Sequence, residues 1–409
     1  MKQRHLFKII NNYLEGFPVV VLLGVRQSGK STLCKMIAKE DWKFFDLENR
    51  ADFELVSADP DLFLKANPGR LVLDEAQQLP SLFPALRVAV DRQRKKNGRF
   101  LITGSSSPEL SKQISESLAG RVAIIQLPTF SMAEAYDLPV ADLFTEVVDG
   151  TNLSRLSRLT TRLTHNQVMQ CFLKGGFPEP CFGKSFPDGW RTWMNSFEQT
   201  YILRDIRRLF PRLALERYRS FFGMSARMSG ETINKAKLAE ALAIDQSTVA
   251  DYFQILEGTF LWKVLPPYTR NAAKRFLKSP KGYLRDSGLV NFLNLNHSLE
   301  RLERDPSIGS QWEGFIVEEI VKGFAALGRD PKLYFYRAGS YEEVDLIVEA
   351  DFGTIPIEIK YGTTTDPKRL QSLKNFVRRM KLPFGLVINN SERVQILSEN
   401  IIQVPATAL

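Results

Sequence analysis

Apolar residues along this chain fall into short runs separated by polar, helix-patterned stretches, and that alternation sets the first expectations. Phe17-Pro-Val-Val-Val-Leu-Leu23 is a β-branched run of strand length, and Ser31 to Lys39 carries the spacing of a following helix. The apolar residues of Arg70–Asp74, Arg99–Thr103 and Ala123–Leu127 predict further buried strands, each closing on polar residues or a turn. After Pro128 the pattern becomes helical and polar. Trp190, Trp193, Phe197 and Tyr201 recur at helical spacing, which predicts a core-facing stripe rather than a base-stacking surface. Asn234 to Ala243 reads as a helix, Ile244 to Gln246 as a tight turn, and Ser247 as the cap of a second helix over 248–257. Gly258 to Leu265 fits a short β-ribbon. Residues 310–400 give helix, strand, strand, helix, strand, strand.

Candidate chemistry lies at the seams of this pattern. Gly24-Val25-Arg26-Gln27-Ser28-Gly29-Lys30-Ser31 joins the first strand to the first helix and matches G-x-x-x-x-G-K-[ST]. Glycines let backbone N–H groups turn toward phosphate oxygens, and the helix N-terminus, from Ser31-Thr32 on, adds its positive dipole end. Lys30 is placed to reach the β- and γ-phosphates and Ser31 to ligate Mg²⁺, so the expected cofactors are ATP and Mg²⁺. Asp74 and Glu75 end the second run: Asp74 as a holder of Mg²⁺, Glu75 as the base that orients water. Ser105, in Gly104-Ser-Ser-Ser107, is a candidate sensor of the γ-phosphate; the competing reading is a plain Gly/Ser turn.

Together Gly24–Ser31, Leu73-Asp-Glu-Ala-Gln77, Thr103-Gly-Ser-Ser106 and Leu118-Ala-Gly-Arg-Val122 resemble a large prokaryotic family of AAA-plus ATPases whose C-terminal domain has a restriction-endonuclease-like core. The resemblance implies an α/β fold: a P-loop parallel sheet in the order 5-1-4-3-2 with a helical lid, then a C-terminal α/β domain. It also implies ATP as nucleotide and action as a homo-oligomer. Arg121 stands where ring-forming ATPases present an arginine to a neighbour's γ-phosphate; the competing reading is a helix-terminal arginine facing water. Gly175-Gly-Phe-Pro178 resembles the lid turn of related ATPases. The expected domains are 1–160 (ATPase core), 161–228 (lid), 229–300 (winged helix-turn-helix with a basic linker) and 301–409 (endonuclease-like).

The last domain carries Asp345 and Glu358-Ile-Lys360, matching D…(D/E)-x-K, with Glu313 on the leading helix matching the family's acidic residue there. Strand alternation puts Glu358 and Lys360 on one face. Glu313, Asp345 and Glu358 are therefore expected around a second Mg²⁺, with Lys360 positioning or deprotonating water. Cleavage of DNA and service as a non-cleaving scaffold both remain open.

Charge sharpens the partner expectation. The 409 residues carry a net +9, and residues 201–290 hold 16 Lys plus Arg against 8 Asp plus Glu. Such a surplus is the electrostatic footprint of nucleic acid. Thr248 and Lys263 are the expected contacts in the winged element, beside Gln246, Ser247 and Asp251. Arg270, Lys274, Arg275 and Lys278 are placed for phosphate, with Lys281 and Arg285 in the same stretch. A nucleotide switch acting on a protein partner is the other reading.

Composition narrows the setting. At 44% hydrophobic and 25% charged, the chain has globular composition. Phe17–Val25 is far shorter than the ~20 residues of a membrane span. Arg26 and Lys30 follow that run where a signal peptide would have its cleavage site, so a core strand is expected and no membrane partner. Cys34, Cys171 and Cys181 fit no zinc spacing, and their odd number points to a reducing cytoplasm. His5, His165 and His297 are scattered.

Overall fold

Alternation decides the first sheet. In β1 (Val19–Gly24), Val19, Val21 and Leu23 face one core, while Val20 and Leu22 face another. Such two-sided burial is the mark of a parallel sheet covered on both faces. The computed structural model describes residues 2–105, 108–182, 189–269, 279–339, 342–364, 366 and 370–409. They form two compact units, the first running to Thr129 together with Gly258–Phe260, the second comprising Phe130–Glu257 and Leu261–Leu409.

In the first unit α1 (Leu6–Gly16) leads into β1 and α2 (Lys30–Ile37) leaves it. There follow β2 (Trp42–Asp46), α3 (Arg50–Ser57), α4 (Pro60–Ala66), β3 (Arg70–Asp74) and α5 (Leu82–Arg92). β4 (Phe100–Ser105), α6 (Pro108–Leu118) and β5 (Val122–Gln126) complete it. The strands pair in parallel in the order β2-β3-β4-β1-β5, which is the expected 5-1-4-3-2. Register sets Gly24 beside Ser105 and Asp46 beside Asp74, so the functional motifs gather at the carboxyl ends.

The second unit takes up the chain earlier than expected. Helices α7 (Met132–Ala135), α8 (Asp142–Val148) and α9 (Leu153–Leu156), read from sequence as part of a core ending at 160, belong to it. The reason is packing. Phe144 of α8 meets Phe324 edge-on at 5.2 Å, and the Met132 N–H donates to Glu319 at 2.7 Å. Next come α10 (His165–Lys174), α11 (Pro178–Phe182) and α12 (Gly189–Phe197), then a π-helical stretch over Glu198–Ile206 and α13 (Arg207–Leu209). The aromatic stripe is core as expected, with Trp190, Phe197 and Tyr201 buried and Phe197 stacked on Tyr201 at 5.2 Å. Gly175, at φ 74, lies against Asp286, whose carboxylate accepts the Gly176 N–H at 2.8 Å.

α14 (Leu215–Arg227) precedes α15 (Lys235–Leu242) and α16 (Gln246–Gly258). Asn234 caps α15 through the Lys237 N–H at 3.0 Å. Ser247 is no cap: the Val249 N–H donates to the Asp245 carbonyl at 3.1 Å, so α16 starts before Ser247. The ribbon pairs β6 (Trp262–Leu265) with β7 (Lys281–Leu284), a strand the sequence reading had assigned to the basic linker.

α17 (Ser287–Leu293) and α18 (Leu299–Glu303) lead to the long buried α19 (Ile308–Ala326). Then follow β8 (Lys332–Ala338), β9 (Glu342–Ala350), β10 (Gly353–Ile359), α20 (Gln371–Met380), β11 (Gly385–Asn389), β12 (Gln395–Ser398) and β13 (Ile401–Pro405). Two of these strands, β8 and β13, exceed the expected pattern. The sheet order is β12-β13-β11-β10-β9-β8, antiparallel through β8-β9-β10 and parallel through β10-β11-β13. Among the described residues no helix is long and apolar enough to cross a membrane.

Gly323 marks where α8 meets α19, because a Cβ there would lie 2.1 Å from the Phe144 ring. Glycine to alanine inside a helix gains up to about 1 kcal/mol by propensity. Overpacking a buried contact costs about 1–3 kcal/mol, so packing should decide the sign. We expect Gly323→Ala to lower the urea midpoint of the second unit; a raised midpoint would contradict this packing.

Candidate nucleotide-binding site and C-terminal carboxylate cluster

The loop after β1 is shaped by its backbone. Gln27 at φ 62 and Gly29 at φ 92 alternate with ordinary conformations, an arrangement that turns successive N–H groups toward one concavity. At Gly24 a Cβ would fall 2.4 Å from the Leu127 carbonyl, so only glycine lets β1 pass there. Val25 is buried, Arg26 is half-buried 3.7 Å from Glu48, Gln27 is exposed, and Thr32 is exposed in the first turn of α2. The Ser28 hydroxyl is buried without a partner, an orphaned polar group in the loop itself.

Lys30, only 4% exposed, donates to the carbonyls of Gly24 at 3.1 Å and Val25 at 3.0 Å. Burial lowers its pKa, opposed by the charges of Glu75 and Asp74. Those carbonyls are exchangeable partners, leaving the ammonium free to turn to a phosphate. The Asp74 carboxylate is hydrogen-bonded by the hydroxyls of Thr103 and Ser31. Burial still raises its pKa. Ser31 and Asp74 together thus offer an alcohol and a carboxylate oxygen, a donor set that fits the Mg²⁺ of a bound nucleotide.

Glu75 occupies the left-handed region at φ 53, a conformation costing on the order of 1–3 kcal/mol for a non-glycine residue. Three partners hold it. Its N–H donates to Thr103 Oγ1 at 3.0 Å, the Ser105 hydroxyl donates to Oε2 at 2.8 Å, and the Gln77 amide donates to the same oxygen. Gln77 also donates to Ser105 Oγ at 2.9 Å. Burial pushes the Glu75 carboxyl up, but Lys30, Gln77 and Ser105 outweigh it, so the group stays ionised below its usual range. Ser105 is therefore tied to the would-be base, through a triangle that sequence reasoning missed. Gln77 carried no signal beyond its place after the acidic pair. Thr103 had one: it is a polar residue closing an otherwise apolar run.

Arg4 was missed altogether. It is 4% exposed and donates to the Ser28 carbonyl at 2.9 Å and the Pro128 carbonyl at 2.7 Å. Because a peptide unit is planar and trans, drawing the Ser28 carbonyl toward Arg4 turns the Gly29 N–H the opposite way. Arg121 makes a two-pronged pair with Asp91 at 2.8 and 2.9 Å and holds that carboxyl below the usual range. Asp91 is exposed, so water weakens this pair and leaves the guanidinium exchangeable.

In the second unit the expected DNA contacts divide. Gln246, Ser247 and Asp251 are exposed at the start of α16, and Thr248 is half-buried. Lys263 is half-buried, and burial lowers its pKa, so it makes a poor surface contact. Arg285 pairs with buried Glu318 at 2.9 Å, and Lys281 is buried among carboxylates, so neither is free for phosphate. Arg270, Lys274, Arg275 and Lys278 lie outside the described residues.

The carboxylates expected to hold a metal are each paired with an ammonium group. Lys360 Nζ stands 2.6 Å from Glu358 and 3.4 Å from Asp345, whose Oδ2 also accepts the Ile359 N–H at 2.8 Å. Lys281 Nζ stands 3.0 Å from Glu313 and 2.6 Å from Glu343. Burial and the Asp345 charge push Glu313 up to about 7 and Glu358 up to about 8. Among the described residues no three Asp, Glu, His or Cys side chains are gathered to hold a metal ion. The residues present do not fit the second Mg²⁺ expected at Glu313, Asp345 and Glu358.

Residues 16–136 match the model of an AAA domain, 165–300 that of the domain of unknown function DUF8612, and 308–409 that of DUF4143. A Mycobacterium tuberculosis protein, the uncharacterized protein Rv2008c, is 34% identical over 391 residues, 95% of this chain and 80% of its own length. The chain belongs to this family of AAA-type ATPases. Mycobacterium bovis has a relative of the same identity and coverage, the uncharacterized protein Mb2031c. Among solved structures, the Walker-type ATPase PABY2304 of Pyrococcus abyssi aligns with a TM-score of 0.43 and 15% identity, over 70% of this chain and 94% of its own. The ORC1 protein of Aeropyrum pernix, solved in complex with DNA, aligns with a TM-score of 0.30 and 13% identity, over 73% and 92%.

If Arg4 positions the loop of this AAA-type ATPase, Arg4→Ala should weaken ATP binding by about tenfold, the worth of one charged hydrogen bond. Arg4→Lys, which keeps one charged donor, should recover part of it. Titration with a fluorescent ATP analogue reads both, and equal affinity in all three proteins would remove Arg4 from this role.

Proposed function

We propose that this chain binds ATP with Mg²⁺ in its first unit, hydrolyses it, and couples that turnover to DNA as a homo-oligomer. The observation that carries the nucleotide reading is the convergence of Lys30, Ser31, Asp74 and Glu75 at the carboxyl ends of β1 and β3. In this reading the backbone of Gly24–Thr32 cradles the phosphates and Lys30 binds the terminal ones. Ser31 and Asp74 hold Mg²⁺, which neutralises charge developing on the phosphates. Glu75 takes the proton of the attacking water, and Ser105 senses the γ-phosphate while holding Glu75. Arg121, exchangeable from Asp91, reaches the γ-phosphate of a neighbouring copy.

The DNA part rests on separate support. α15, the turn at Ala243 and α16 have helix-turn-helix order, and β6–β7 supplies a ribbon in the position of a wing. Exposed Gln246, Ser247 and Asp251 lie at the start of the second helix. The surplus of basic residues in 201–290 falls by two once Lys281 and Arg285 are committed inward, and most of it remains. In the last domain α19, β8–β10, α20 and β11 run helix, three strands, helix, strand, an order that supports the endonuclease-like reading. Fold order alone does not carry an activity.

Two measurements test this. Lys30→Ala should abolish tight ATP binding, whereas Glu75→Gln should bind ATP and hydrolyse it at least about a hundredfold more slowly, as removal of a catalytic base does. Full turnover in Glu75→Gln would exclude it as the base. Separately, single-stranded, duplex or branched DNA should stimulate ATP hydrolysis, with the stimulation fading as salt rises. Turnover indifferent to every DNA, with no DNA binding at low salt, would overturn the DNA reading and favour a switch acting on a protein partner.

A further inference from the structure

Lys281 stands apart from the other buried cations. It comes from β7 in the ribbon, outside the last domain, yet its ammonium lies within that domain's acidic cluster. Its side chain is 7% exposed, 3.0 Å from Glu313 Oε1 and 2.6 Å from Glu343 Oε1. Tyr283, two residues on and so on the same strand face, donates its hydroxyl to the same Glu313 oxygen at 2.5 Å. Between them Gly282 lies under the Trp262 ring, where a Cβ would fall 2.1 Å from it. β7 pairs antiparallel with β6, and that register fixes which face Lys281 and Tyr283 share.

The carboxylates are thus divided between two lysines. Glu313 and Glu343 face Lys281, while Asp345 and Glu358 face Lys360. Mg²⁺ requires several oxygen ligands at about 2.0–2.1 Å in octahedral order. An ammonium in contact with Glu313 both repels a divalent ion and blocks that oxygen. Its removal would leave Glu313, a largely buried carboxylate, with the Tyr283 hydroxyl but no cation in contact, which keeps the lysine in place.

We propose that Lys281, a cation beyond the lysine of the Asp345…Glu358-x-Lys360 pattern, takes up Glu313 at the edge of the C-terminal carboxylate cluster in place of a divalent metal, so that this domain works without one. The inference rests on the endonuclease-like reading of that pattern, and it turns the cluster from a hydrolytic centre into a clasp. Lys281 ties the ribbon to both α19 and β9, and Tyr283 adds a second tie to α19. Without a metal to activate water or to stabilise a leaving oxygen, the domain leaves phosphodiester bonds intact.

Mn²⁺ alone, followed by loss of its free-ion electron paramagnetic resonance signal, tests this on the full nucleotide-free chain. Wild type and Asp345→Asn should titrate identically, because no Mn²⁺ depends on Asp345. Wild-type binding that Asp345→Asn abolishes would overturn the proposal, whatever the behaviour of other variants. Lys281→Met should gain one bound Mn²⁺, and adding Asp345→Asn should remove it. A folded Lys281→Met with no such gain would equally overturn it. Should Lys281→Met fail to fold, Lys281→Arg keeps the charge, and its binding Mn²⁺ through Asp345 would also count against the lysine's role. The DNA dependence of ATP turnover is read separately, so the two readings fail independently.

Discussion

Neutralising buried charge is the constraint on which both units depend. A carboxylate or ammonium taken from water costs several kcal/mol unless it is paired and hydrogen-bonded, on the order of the whole stability of a domain. This chain buries Lys30 and Asp74 in the first unit, and Glu318, Glu319, Lys322, Asp345 and Glu358 in the second. The structure is arranged so that each meets a partner. Lys322 pairs with Glu319 at 2.8 Å and donates to the Phe130 carbonyl at 2.9 Å; Arg285 closes on Glu318. Because Phe130 and Arg285 come from segments distant from Lys322 and Glu318, these contacts also fix which segments must lie together. The helices after Thr129 join the second unit for this reason: Glu319 and Lys322 of α19 take up the Met132 N–H and the Phe130 carbonyl.

The sequence was most legible where local pattern and chemistry coincide. Four strands of the first sheet could be read because each holds a short apolar run, three of them closing on a candidate motif; β2, half-exposed and interrupted by Lys43, was missed, and the order followed from resemblance. Asp74, Glu75 and Ser105 could be named as candidates for the same reason. Arg4 and Gln77 were not, since their importance lies in carbonyls and hydroxyls reached across 24 and 28 residues. No spacing rule encodes such contacts. Thr103 sits between these cases, as a polar residue where an apolar one was due.

Charge was the most misleading signal. Counting Lys281 and Arg285 with the phosphate contacts treated them as surface residues, as basic residues usually are. Their partners, Glu313, Glu343 and Glu318, lie more than thirty residues downstream or farther. A net charge summed over a window cannot distinguish a cation facing water from one compensating an acid in another segment. The missed strands share this origin. β8 and β13 complete a sheet whose neighbours come from far along the chain, so tertiary pairing rather than local alternation defines them.

The two charged centres differ in the kind of partner each cation has, and that difference separates a site made for a ligand from one made for stability. Lys30 rests on two loop carbonyls, neutral acceptors that lose little when the ammonium turns to something more negative. Beside it Glu75 is held in a strained backbone conformation by side-chain partners, and an orphaned Ser28 hydroxyl lies in the loop. Strain and an unmet hydrogen-bonding group are what an incomplete site contains. Lys281 rests on two carboxylates, and an unmet oxygen in the cluster, Glu358 Oε2, belongs to a carboxyl that burial already drives toward its neutral form. Replacing carbonyls by phosphate gains Coulomb energy, whereas breaking an ion pair in a dry cluster forfeits it. The same amino acid thus marks an open site in the first unit and a closed one in the second.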